Sequence, residues 1–391
     1  MKSLIYTILF LAVTFSGFTQ SFEGFMQSVE QNNPRLMALD KWLEAEATLA
    51  KTGIYPDNPE VSYNYLFGSP EAIGDQKELE ITQSFRLPGY YTSKSALQKL
   101  DYQQKQALAE KEKQEVLHAA RRTYFSLVWL QKKEALLENR KENADKLLKL
   151  MKAGFDRGEI SKPVYDKARI YAIGVQTDYQ RLQSEMKAQH QYLQQLNGGK
   201  PIEGLSFSYP LDWELPELDT LLTNLSAKNP NLIRAGLNIQ QAEKEIEHQR
   251  IKSLPSFEAG YVSETILNQK LRGIHAGISI PLWQNKNTVK YAKLQTEASK
   301  ADFSQKESEL KAEVSALFFE AKALKDSYEQ MKLIMEEEAI SDSSLELLQA
   351  GQISFTEYLV EIEMINSNRM RYIDYQKDLF TRLSALKAMV N

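Results

Sequence analysis

The chain of 391 residues contains no cysteine. That absence excludes thiol catalysis, thiolate metal sites and disulfide staples together. Histidine is scarce: His118, His190, His248 and His275 are scattered without ligand spacing, so no metal site is expected. The sequence has no glycine-rich phosphate loop, nucleophile elbow or His-Glu-x-x-His helix, so neither an enzyme nor a bound cofactor is expected. A formal charge of −4 argues against nucleic acid as a partner. Beyond the first twenty residues no apolar run approaches the roughly 18 residues of a transmembrane helix. Residues 1–20 join Lys2, an apolar run from Leu4 to Phe18 and small or polar residues, which reads as a secretory signal peptide. The whole chain is 26% charged with mean hydropathy −0.45, polar enough that much of its surface faces water.

After residue 20 the chain is written twice. Asn33-Pro34-Arg35-Leu36 returns as Asn229-Pro230-Asn231-Leu232, and Pro59 returns as Pro255, both 196 residues later. Pro88 returns as Pro281, Gly158-Glu159-Ile160-Ser161 as Gly351-Gln352-Ile353-Ser354, and Tyr165 as Tyr358, each 193 later. An ordered series of this kind marks an internal repeat. Residues 21–198 form the first copy, 199–216 a glycine- and proline-rich linker, and 217–391 the second.

Each copy carries the same elements. A proline-started helix opens it, near Pro34 and again at Pro230. A strand pair comes next, predicted as a β-hairpin over 57–88 and another over 255–282. Val61, Tyr63, Tyr65 and Phe67 alternate with polar neighbours, as do Leu79, Ile81, Phe85 and Leu87; Gln83 interrupts the pattern. Phe257 to Tyr261 and Ile274 to Leu282 alternate likewise. This period-2 pattern reads as strands with one apolar face. Long helices are then predicted over 90–156 and 284–350, each about 66 residues or roughly 100 Å. Val314, Leu317, Ala321, Leu324, Tyr328, Met331 and Met335 step 3-4-3-4-3-4, a heptad seam. Gln98 to Glu115 is almost wholly polar and reads as a wetted stretch. Glycine-centred turns end both long helices, and return helices are predicted over 162–196 and 355–390.

Four strands per chain cannot close a membrane barrel, which needs at least eight, and an open edge in lipid strands backbone groups at several kcal/mol each. Three chains would supply twelve strands. Tyr90, Tyr91 and Trp283 stand where strand gives way to helix, a position that favours a membrane boundary. The expected fold is therefore a mixed α+β membrane protein: a trimeric 12-stranded β-barrel continued by a long α-helical barrel in water. Tyr63, Tyr65, Phe67, Ile81, Phe85, Tyr261, Ile278 and Ile280 are the expected lipid-facing strand residues.

The twofold repeat, the Asn-Pro-x-Leu openings, the proline before each strand pair and Gly-x-Ile-Ser at each turn resemble the TolC-like outer-membrane efflux family, over essentially the whole mature chain. The resemblance implies the outer-membrane duct of a tripartite efflux pump: a homotrimer reaching into the periplasm, docked to a periplasmic adaptor and an inner-membrane transporter, with a lean towards the resistance–nodulation–division type. It implies that Gly158, Ile160, Ser161, Gly351, Ile353 and Ser354 form the adaptor-docking periplasmic tip. By the same resemblance Glu357, Tyr358, Glu361 and Asp166 are entrance-gate residues, Glu357 and Glu361 sharing a face and favouring cations. The alternative from another class is a soluble periplasmic helical scaffold.

Overall fold

The computed structural model describes residues 21–70, 73–202, 205–210, 212–337 and 344–390. The expected signal peptide at 1–20 lies outside them. The described elements are, in order, α1 (Phe22–Asn32), α2 (Pro34–Leu49), β1 (Glu60–Leu66), β2 (Gln76–Phe85), α3 (Pro88–Asp156), α4 (Lys162–Leu196), α5 (Leu218–Lys228), α6 (Pro230–Lys252), β3 (Ser256–Ile266), β4 (Gln269–Ser279), α7 (Thr288–Glu337), α8 (Ser344–Gln349) and α9 (Phe355–Val390). No described helix is long and apolar enough to cross a membrane.

The chain divides into two compact units. One holds the described parts of 35–115, 216–319 and 385–391, and with them the four described strands. Their order is β1-β2-β3-β4 with every pairing antiparallel, so the two hairpins join through β2 and β3. The pattern of apolar alternation sets this register, because a slip of one residue would turn every side chain to the opposite face. β1 and β4 are open edges. The β3–β4 turn is two residues long, Leu267 and Asn268, both at positive φ, as the twist of a tight hairpin demands.

In the same unit the polar stretch of α3 differs from expectation. Most of Gln98 to Glu115 is half-buried rather than wetted. Several of its polar groups meet partners: the Gln104 amide donates to Gln241 at 2.9 Å, the Gln98 amide donates to the Thr52 carbonyl at 2.8 Å, and Arg35 pairs with Glu112. Buried polar surface is tolerated where it is hydrogen-bonded.

The other unit holds the described parts of 1–34, 116–215 and 320–384. Its apolar centre is aromatic: Phe22, Phe25, Tyr124 and Phe125 are buried, and Tyr209, Trp213 and Phe380 pack against Phe125. The segment expected to be a linker is docked here. Tyr124 Oη donates to the Ser206 carbonyl at 2.6 Å and accepts from the Ser208 N–H at 3.1 Å, while Leu205 and Tyr209 are buried. Burial pushes the Tyr209 hydroxyl well above its ordinary pKa.

Two short helices, α1 and α5, precede the proline-started ones and were not read from the sequence. Each Asn-Pro is thus a break between helices. Asn33 and Asn229 are extended (φ/ψ −66/121° and −63/122°), because a following proline disfavours helical geometry. Their side chains serve alike: the Asn33 amide donates to the Leu196 carbonyl at 2.8 Å, and that of Asn229 to the Met389 carbonyl at 2.8 Å. Each thereby satisfies a carbonyl in the last turn of a return helix, one of the groups a helix end leaves unpaired. The second long helix begins later than the expected 284. Asn287 has φ +67° and the Asn285 amide is bonded to the Lys252 carbonyl, so regular helix starts at Thr288. The heptad seam from Val314 to Met335 is buried or half-buried throughout. Residues 338–343, in the last part of that expected helix, lie outside the described residues.

Candidate functional site

The sheet sorts its side chains by face. Cross-strand partners share a face, so the register groups them into rows. On one face the rows are Val61-Ile81-Tyr261-Ile274, then Gln83-Ala259-Ala276, then Phe85-Phe257-Ile278, with Tyr63-Leu79-Ser263-Arg272 and Tyr65-Lys77-Thr265-Lys270 towards the hairpin turns. Phe85 and Phe257 stack with centroids 6.0 Å apart. This apolar band is uncovered: Ile274 is 91% exposed, and Tyr63, Ile81, Tyr261 and Ile278 are exposed too. The opposite face carries Glu60, Glu78, Glu80, Glu258, Glu264 and His275, and no Lys or Arg. His275 Nε2 lies 3.4 Å from Thr82 Oγ1 and 3.6 Å from Glu80 Oε1. Gly260 makes room for this ring, since a Cβ there would stand 2.2 Å from His275 Cε1 and 2.6 Å from the Ile81 carbonyl oxygen.

Of the expected lipid-facing residues, Tyr63, Tyr65, Ile81, Phe85, Tyr261 and Ile278 share the apolar face. Phe67 and Ile280 fall outside it: each lies one residue past the end of its strand, where alternation no longer assigns a face. Gln83, the break in the pattern, stays on the apolar face, and its amide donates to the Asp57 carbonyl at 2.7 Å.

In the other unit, two turns carry the second set of expected site residues. Gly158 and Gly351 have φ of +74° and +71°. Gly158 N–H donates to the Phe155 carbonyl and Glu159 N–H to the Gly154 carbonyl, both at 2.9 Å. Gly351 N–H donates to the Leu348 carbonyl at 3.1 Å and Gln352 N–H to that of Leu347 at 2.9 Å. This is one helix-ending motif at two places, with glycine in the left-handed position. Nothing lies within 4 Å of a Cβ built on either glycine, so conformation alone requires them.

The turns differ at the start of the next helix. Ser354 and Glu357 form a reciprocal cap: Glu357 N–H donates to Ser354 Oγ at 3.2 Å, and Ser354 N–H to Glu357 Oε2 at 2.7 Å. Those hydrogen bonds hold the Glu357 carboxyl below its ordinary pKa. Ser161 makes no side-chain cap. Ile160 and Ile353 are half-buried and pack on a cluster of Leu147, Met151, Ala168, Tyr358 and Ile362. Ile160 sits where a Cβ on Gly154 would be, 2.6 Å from its Cδ1.

The expected gate residues differ in exposure within one chain. Tyr358 is 1% exposed inside that cluster, because the apolar positions around the turns need a centre to pack on. Within one chain it is a core residue. Glu357 is exposed and Glu361 half-buried. Asp166 is occupied by local ion pairs with Lys162 at 3.2 Å and Arg169 at 3.4 Å. Sequence reasoning missed Arg140, whose Nη2 donates to Glu363 at 2.6 Å and Nε to Tyr171 Oη at 3.3 Å, joining α3, α4 and α9. No single-residue signal marks it.

The sheet thus has one bare apolar face and one acidic face, and a long helix follows each hairpin. CusC shares this fold over 94% of this chain and 91% of its own, at TM-score 0.78 and 16% identity. So do the outer membrane protein VceC of Vibrio cholerae, covering 94% and 96% at TM-score 0.77 and 14% identity, and the CmeC outer membrane channel of Campylobacter jejuni, covering 94% and 85% at TM-score 0.76 and 16% identity. No curated protein sequence matches the chain at a significant level. Residues 221–391 match the outer membrane efflux protein family.

Proposed function

We propose that three copies of this chain close a 12-stranded barrel in the outer membrane, which continues into a helical duct in the periplasm and releases exported solutes outside. The observation that carries this reading is the sheet itself. Its apolar face has no cover, its opposite face is acidic, and both its edges are open. An open edge in lipid is costly, and pairing β1 of one copy with β4 of the next removes it. β4, at 11 residues, is about 36 Å long; tilted by about 40°, it spans the roughly 25 Å apolar band of such barrels. The acidic face then lines the water-filled bore and favours cations. A soluble helical scaffold is not favoured, since it would leave the apolar face bare in water.

The partners are a periplasmic adaptor and an inner-membrane transporter, of the resistance–nodulation–division type by resemblance. At the adaptor-facing tip, Gly158, Ser161, Gly351 and Ser354 are exposed and offer the contact surface, while Ile160 and Ile353 seat the turns from beneath. Asp166, Glu357 and Glu361 remain the entrance carboxylates of this reading. The test is the mass of the detergent-solubilised protein by light scattering: a trimer is expected, and a stable monomer overturns the duct.

A further inference from the structure

The sheet segregates charge by face as well as by polarity. Every lysine and arginine of the four strands, Lys77, Lys270 and Arg272, lies on the apolar face, and that face carries no strand carboxylate. All three are confined to the two rows nearest the hairpin turns. Lys77 and Lys270 flank Thr265 in one row, and Arg272 lies opposite Ser263 in the next. All three are exposed. Lys77 Nζ stands 5.5 Å from the Tyr65 ring centroid. The carboxylate beside them, Asp75, accepts from the Tyr65 hydroxyl and from Gly68 N–H. No ion pair engages the three cations among the described residues.

A lysine or arginine facing lipid costs about 2–4 kcal/mol at the bilayer midplane and about 0–1 near its surface. Their confinement to the turn end therefore marks where hydrocarbon stops, and their long stems let the charges reach the headgroups. The helices join the strands at the other end, so this rim lies in the leaflet away from the periplasm.

We propose that Lys77, Lys270, Arg272 and Tyr65 bind the phosphate groups of anionic lipid headgroups in the outer leaflet. This rests on the barrel reading above. Three cations without ion-pair partners on adjacent strands complement phosphate; the arginine adds a two-pronged donor set and the tyrosine a ring suited to the interface. In a closed trimer the site repeats three times, a basic collar around the outer rim.

The experiment reconstitutes full-length protein in phosphatidylcholine vesicles, in vesicles where part of that lipid is replaced by phosphatidylglycerol or bisphosphorylated lipid A, and in phosphatidylcholine vesicles with added inorganic phosphate. It reads the temperature at which trimers dissociate. Anionic lipid should raise that temperature for the wild type, and inorganic phosphate should not. Combined K77Q, K270Q and R272Q should lose most of the rise while matching wild type in phosphatidylcholine; K187Q with K293Q should keep it. If the triple variant yields no trimer, each single variant is expected to lose part of the rise, and R272K to keep more than R272Q. A full rise in the glutamine variants, or an equal rise from inorganic phosphate, overturns the lipid site and leaves the duct standing. Absence of wild-type trimers in every vesicle overturns both.

Discussion

Ser354 and Glu357 form two hydrogen bonds across one helical turn, so the second turn is held by a cap that the first lacks. Replacing Ser354 by alanine removes a cap worth about 1 kcal/mol. The pH dependence comes from Glu357. Its folded pKa is depressed by the hydrogen bonds from Ser354, so its contribution is complete above the ordinary carboxylate value, near 4.5, and is lost as pH falls through the lower folded value. Hydrogen exchange of the Ser354 amide, corrected for intrinsic rates, should show protection at pH 7 that declines in acid. In Glu357→Gln that acid-dependent part should vanish. Identical pH profiles for the two proteins would refute the cap as the cause. The same geometry gives Glu357 a structural duty, which any entrance role must accommodate.

At the scale of the element, each turn closes because one residue adopts a left-handed backbone. Gly351→Pro forces φ to about −65° where +71° is required. The substitution should distort the turn and displace Ile353 from its seat, while the sheet, in the other unit, is untouched. Export measured as resistance to the pumped solute should be abolished in cells that still contain membrane-inserted trimers. Normal resistance in that background would contradict adaptor docking at this tip. α1 and α5 are equally element-level features. They come from the extended Asn before each proline, whose side chain is free to bond a return helix only once that helix has folded nearby.

For the whole molecule, the deciding feature is an apolar face that a single chain leaves bare. Ile274, 91% exposed, makes the contrast measurable. In a water-soluble scaffold Ile274→Lys would be neutral or helpful. In a barrel wall it adds a buried charge costing about 2–4 kcal/mol in each copy, if the row lies near mid-membrane. Trimer yield in the outer-membrane fraction should fall sharply, with the protein shifting to the soluble periplasm. An unchanged distribution would count against lipid contact.

Periodicity and punctuation alone determined much of this protein. Period-2 alternation marks the strands and their apolar face, and the proline-free heptad run marks a long helix. Glycine before x-Ile-Ser marks both turns, because these are local rules of backbone geometry that neighbours do not override. Tertiary structure decided what depends on residues far apart in sequence. Register across β2 and β3 put the glutamates on one face and the lysines and arginine on the other. Packing around the turns took Tyr358 into the core; elsewhere the linker docked onto Tyr124 and Phe125, and the polar stretch of α3 paired with α2 and α6. Each outcome arises from burial and pairing between distant segments, which no window along the chain contains.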